Sequence, residues 1–192
     1  DKYRKEQERR RIEGLTGDAL ILEGTPTGLS ELDKHTFGYK PGDLIILGAQ
    51  TGHGKTAFAL NTAKAICLEN KKPLLYINTE MSRAQLVYRW GGMLSGIPTH
   101  RLRTGSMTNE EKNQVITFYK NFAQSGFLSS YMPNLTTNKV ELLGRSAKLQ
   151  YGIEILILDY VGRMDKYNPK WQEWQMLEQI VKSQKILAQN LD

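Results

Sequence analysis

Residues 44 to 60 read LIILGAQTGHGKTAFAL: a short apolar run, a loop of small and polar residues, then Gly54-Lys55-Thr56 opening an apolar stretch with helical character. A strand that feeds a glycine-bearing loop and then a helix brings several backbone N–H groups onto one point, and the positive end of the helix adds to them. This is how a chain builds a seat for phosphate. Lys55 is expected to set its charge against the outer phosphates of ATP, and the Thr56 hydroxyl to ligate Mg2+. The candidate nucleotide-binding set is therefore Gln50, Thr51, Gly52, His53, Gly54, Lys55, Thr56 and Ala57. The spacing G-x-x-x-x-G-K-[ST] asks for a glycine where Ala49 stands, with Gly48 one place early. Alanine fits that turn if its φ is negative. An incidental strand-turn-helix gives a similar fragment, so the weight of the reading falls on what lies at the other strand ends.

Downstream, a helix from Lys55 to about Leu68 leads to a second strand, LLYIN at 74 to 78. Ser82 with Gln85 forms a capping box before the stripe Leu86, Trp90, Met93 and Ile97, and Thr108 with Glu111 forms another before Val115, Phe118, Tyr119 and Phe122. FLSSYM at 127 to 132 reads as a strand, and residues 138 to 150 as a helix with Val140, Leu143 and Ala147 on one face. IEILIL at 153 to 158 is an almost unbroken apolar strand ending at Asp159, and a last helix runs from about Trp171 with the stripe Leu177, Ile180, Val181, Gln184, Leu187 and Leu191. Upstream, the glycine- and proline-rich stretch up to Leu44 reads as a linker feeding a first core strand, Leu44 to Leu47. Strands buried on both faces and alternating with helices predict an α/β fold, a mostly parallel sheet flanked by helices, with its site at the carboxyl ends of the strands.

Two of those ends carry chemistry. Asp159 is placed to hold Mg2+ beside Thr56, and Glu80, after Asn78-Thr79, to orient and deprotonate an attacking water. Each residue alone also serves as an ordinary turn-capping or helix-leading acid. Together with the loop, in order and at strand ends, they point to ATP hydrolysis.

Composition bounds the rest. The 192 residues, 40% hydrophobic and 24% charged, suit one soluble domain. No apolar run reaches membrane-spanning length and the opening DKYRKEQERRRIEG is charged throughout, so neither a membrane partner nor a secretory signal is expected and a cytoplasmic location follows. The single cysteine, Cys67, excludes an internal disulfide and, with three scattered histidines, leaves no zinc cluster; it is expected in the core of the helix after the loop. A net charge of +6 suits a polyanionic partner, although six basic and two acidic residues between Lys2 and Arg11 supply much of it and read first as a solvated helix face or connector.

The stretch from Thr25 through the loop, then YINTEMSRAQLVYR and IEILILDYVGRM, closely resembles the RecA-like motor domain of DnaB-type hexameric replicative DNA helicases. The PTG turn with Leu32-Asp33 after it is widespread among RecA-like P-loop ATPases, whereas Glu80-Met81-Ser82 is narrower and points to the helicase branch. That family often has alanine at the first loop position. The resemblance implies Lys55 and Thr56 in the Walker A role, Glu80 as catalytic base and Asp159 at the Walker B position. It also implies a ring-forming homo-oligomer, a hexamer in the complete protein, that translocates on single-stranded DNA, with primase and a helicase loader as partners. Residues 1–24 would be a helical linker docking on the neighbouring subunit, and 25–192 the ATPase core. Where the family commonly has Leu-Gln after Asp-Tyr, this chain has Val161-Gly162, so no glutamine stands at that place here.

The family continues past the last helix into a further strand, a DNA-contacting loop and an arginine that reaches the neighbour's nucleotide, so this chain is expected to be part of something longer. Arg163, Lys166 and Lys170, set among Tyr167 and Trp171 after a site strand, form a candidate DNA-contact loop; anchoring of the next helix by Trp171 and Trp174 is an equal reading. Against the helicase motor stands a RecA-like regulatory or assembly module in which ATP sets oligomer state without unwinding. A P-loop phosphotransferase fits less well, since no acceptor site or arginine-rich lid is visible.

Overall fold

LLYIN is the middle strand of the sheet. In the computed structural model, which describes residues 22–164 and 170–191, β1 (Leu74–Asn78) pairs in parallel with β2 (Phe127–Tyr131) on one side and β3 (Ile155–Asp159) on the other. Every residue of β1 is buried, as a strand between two neighbours and two helical layers must be.

Side chains alternate across that strand. Leu74 and Tyr76 join Leu60, Ile66 and Cys67 from the segment after the loop, where α2 (Lys55–Lys64) runs on into a π-helical turn (Ala65–Glu69), and Leu86 and Trp90 from α3 (Arg83–Ser95). Leu75 and Ile77 join Val140 and Ala147 of α6 (Thr137–Tyr151) and Ile180 and Leu187 of α7 (Glu173–Asn190). Each such fully buried side chain is worth about 1.5–3 kcal/mol over exposure, so two filled faces hold the sheet between its helices. Cys67 is fully buried as expected, and burial pushes its thiol up to about 12.

Both capping boxes form as the sequence predicts: Ser82 and Gln85 open α3, and Thr108 and Glu111 open α5 (Asn109–Ala123). Between them lies a helix the periodicity does not reveal, α4 (Thr99–Thr104), whose Leu102 packs with Ile97 and Val115 in a third small cluster.

The expected linker upstream is more ordered than its composition suggests. It contains α1 (Ser30–Thr36) and an antiparallel bridge between Thr25 and Tyr39. The PTG turn and the acid after it form one device: the buried Asp33 carboxylate accepts the Thr27 N–H at 2.9 Å, and the Thr27 hydroxyl accepts the Leu29 N–H at 3.1 Å. Further on, Lys185 of α7 donates to the Gly42 carbonyl at 2.8 Å and holds the PGDL turn against the last helix. Of residues 1–24, expected as a helical linker, residues 1–21 lie outside the described residues.

The expected first core strand is corrected by the structure. Leu44–Leu47 has no strand pairing, and Ile45 and Ile46 are 57% and 67% exposed. An apolar run becomes a strand only through a neighbour's ladder, and among the described residues β3 has β1 as its only ladder partner. The loop therefore follows a segment without strand pairing.

Candidate active site

Gly52 and Gly54 take φ of 83° and 86°, and Gly54 is the N-cap of α2. No atom lies within 4 Å of where a Cβ on either would sit, so it is the left-handed backbone, not crowding, that calls for glycine here. No side chain caps α2, and the first N–H to close a helical bond is that of Phe58, onto the Gly54 carbonyl at 2.8 Å. The amides of Lys55, Thr56 and Ala57 come before it, with no carbonyl four residues back in the helix to meet. Gln50, Thr51, Gly52 and His53 are exposed, so the loop is open to a ligand. The His53 ring lies 3.3 Å from the Thr51 carbonyl. Lys55 curls over its own loop, donating to the carbonyls of Ala49 and, at 3.0 Å, Gln50.

Across the chain, the Thr56 hydroxyl donates to Asp159 Oδ2 at 2.9 Å, joining residues 103 positions apart. The sheet register makes this meeting possible. Asn78 pairs with Asp159 and Tyr76 with Ile157, so Tyr76 and Asp159 lie diagonally on one face, and the Tyr76 hydroxyl donates to the same Oδ2 at 2.5 Å. Burial first, then the charge and bond of Asp159, push the Tyr76 phenol well above its usual range, so it remains a donor.

Thr79 fastens the two strand ends. Its N–H donates to the Asp159 carbonyl at 2.9 Å, and its hydroxyl accepts the Tyr160 N–H at 3.3 Å across a cis Asp159–Tyr160 peptide. Neither Tyr76 nor Thr79 is singled out by the sequence, because a role that depends on register has no local signature. Their polar groups inside or just beyond an apolar strand are the one available hint.

Glu80 follows Thr79 at the same edge, half exposed, with Oε1 3.5 Å from Arg163 Nη2. The Tyr160 side chain first, and then the Glu80 charge, hold the Arg163 guanidinium above even its ordinary high value. Gly162, where the family commonly carries glutamine, has the Tyr160 ring 2.7 Å from where a Cβ would be. A side chain there would displace the ring. Lys170 is exposed just ahead of α7, and Lys166 lies outside the described residues.

Thr56 and Asp159 offer adjacent hard oxygen donors, the chemistry that Mg2+ prefers. Among the described residues no group of three or more His, Cys, Asp or Glu could hold an ion unaided, so a metal here needs phosphate and water oxygens to complete its shell. The chemistry gathers at the carboxyl ends of the strands. Shallow grooves around Phe118, Asn121 and Ser125 lie instead by the amino ends and contain none of the site residues.

The family model for the DnaB-like helicase C-terminal domain matches residues 24–192. The replicative DNA helicase DnaB of Geobacillus stearothermophilus is 30% identical over 172 residues, which cover 89% of this chain and 38% of that protein, so the chain spans well under half the length of this relative. Among solved structures, an ATPase domain superposes with a TM-score of 0.84 at 21% identity, over 98% of this chain and 67% of that one. A DnaB-like replicative helicase, described with its interactions with primase, superposes with a TM-score of 0.83 at 22% identity, over 94% of this chain and 45% of that one. Matched by that family model over nearly all of its described length, and superposing on those solved structures, the chain belongs to the DnaB-like helicase C-terminal domain family, on a RecA-like fold.

Proposed function

We propose that this chain is the ATP-hydrolysing motor of a replicative DNA helicase ring that translocates on single-stranded DNA. The observation that carries the reading is the Thr56–Asp159 bond, which brings the hydroxyl after the phosphate loop and the strand-end carboxylate to one point. Lys55 exchanges its loop carbonyls for the outer phosphates, and the leading amides of α2 cradle them. Thr56 and Asp159 would hold Mg2+, which would supply positive charge against the phosphates. Glu80 orients and deprotonates the water, and to do so it must leave Arg163.

Arg163, Lys166 and Lys170 meet the DNA backbone, a contact that suits the net charge of +6 and does not depend on base sequence. The reading also includes residues 25–192 as the core, residues 1–24 as a linker to the next subunit, a hexameric ring, and contact with primase and a loader, all within the cytoplasm where the DNA is copied. Among the described residues, no helix is long and apolar enough to cross a membrane.

The test measures ATP turnover by the full-length protein with and without single-stranded DNA at two salt concentrations. Strong stimulation that fades with salt is expected for the motor. Turnover indifferent to DNA, with oligomeric state following nucleotide, would identify a regulatory assembly module instead.

A further inference from the structure

We propose that Tyr76 is a positioning residue for the metal-holding carboxylate: its buried hydroxyl fixes Asp159 so that the site is aimed before any metal arrives. The inference rests on the nucleotide reading above. Tyr76 is 0% exposed and stands on the middle strand, its ring 5.9 Å from that of Phe127 within the cluster shared by α2 and α3. Packing there asks for an aromatic ring, which phenylalanine would supply equally. The hydroxyl is the part that packing does not ask for, and its partner is a carboxylate, which makes the bond charge-assisted.

Two hydroxyls reach Asp159 Oδ2, from Thr56 and from Tyr76, and Oδ1 receives neither. They differ in what holds them. Thr56 belongs to the junction of loop and helix and must turn its oxygen to the metal, whereas Tyr76 is fixed by ladder bonds on both sides of β1. The carboxylate is thus steadied from the sheet while its other contact is free to change. Were the hydroxyl merely satisfied by the nearest acceptor, its loss would weaken the fold and leave metal affinity untouched.

The experiment compares the full chain with Tyr76→Phe. A fluorescent ADP analogue is bound in excess chelator, and Mn2+ is then titrated into the complex and followed by electron paramagnetic resonance. Nucleotide affinity in chelator should match within about twofold, while Mn2+ affinity falls by roughly 10- to 100-fold, the scale of one charge-assisted hydrogen bond. Equal Mn2+ affinity with a lowered melting temperature would overturn the positioning role. A wild-type chain that binds nucleotide no better with metal would instead sink the nucleotide reading, and this is seen before the variant is made. Should Tyr76→Phe fail to fold, proton NMR of the wild type decides: a slowly exchanging, downfield Tyr76 hydroxyl signal must persist when ADP and Mg2+ are added, and its disappearance overturns the proposal.

Discussion

Lys55 and Glu80 both rest on partners that their proposed roles require them to give up. The ammonium lies on the carbonyls of Ala49 and Gln50, which are dipoles, and a phosphate group offers full charges at the same reach. Exchanging dipoles for charge favours the phosphate, so the resting contacts keep the lysine over the loop without blocking it. Glu80 is paired with Arg163 through one contact of 3.5 Å between half-exposed groups, and exposed pairs of this kind contribute little. Release is therefore cheap. Glu80→Gln keeps the shape and loses the base: in the full-length protein it should bind ATP normally and hydrolyse it about 10²–10⁴ times more slowly. A rapid-quench assay checks this, and a loss below about tenfold would leave Glu80 with only the structural role of a helix-leading acid.

Among the elements, α5 shows how a local signal becomes a tertiary one. Its N-cap Thr108 and Glu111 exchange bonds, and the same Glu111 carboxylate takes both Arg101 nitrogens at 2.8 and 2.7 Å, tying α5 to α4. The Thr108 N–H first, and then Arg101, hold the Glu111 carboxyl below its usual range. A depressed carboxylate stabilises the fold above its unfolded pKa, and that contribution is lost as pH falls through the folded value. Glu111→Gln should therefore melt below wild type near neutral pH, with the two curves converging as pH drops below the ordinary carboxylate range. Calorimetry at several pH values reads the gap.

The capping boxes were legible because every partner lies within three residues. The long stripes and the apolar runs of β1 and β3 were legible by period and length. Leu44–Leu47 misled because apolar content does not reveal whether a neighbouring strand exists, and α1 and α4, at seven and six residues, are too short for a period to show. At the site, Thr56 and Asp159 could be paired from their places at chain landmarks, whereas Tyr76 and Thr79 needed the alignment of two strands that no local pattern contains.

For the molecule as a whole, one sheet separates two apolar clusters and concentrates the polar work at one end. Reading that end depends on Asn78 lying opposite Asp159. A slip of one residue between β1 and β3 would turn Asp159 to the face of Leu75 and Ile77, burying a carboxylate among aliphatic side chains and parting it from Thr56 and Tyr76. On the proposed reading the site would thus proofread sheet assembly: only the correctly aligned chain would bind nucleotide, and a ligand present at 100 times its dissociation constant would favour that chain by about 2.7 kcal/mol. Refolding from denaturant with ADP and Mg2+ should accordingly raise the recovered native fraction over refolding in chelator, measured by size-exclusion chromatography. Tyr76→Phe, which loosens the same checkpoint, should gain less from the ligand than wild type does.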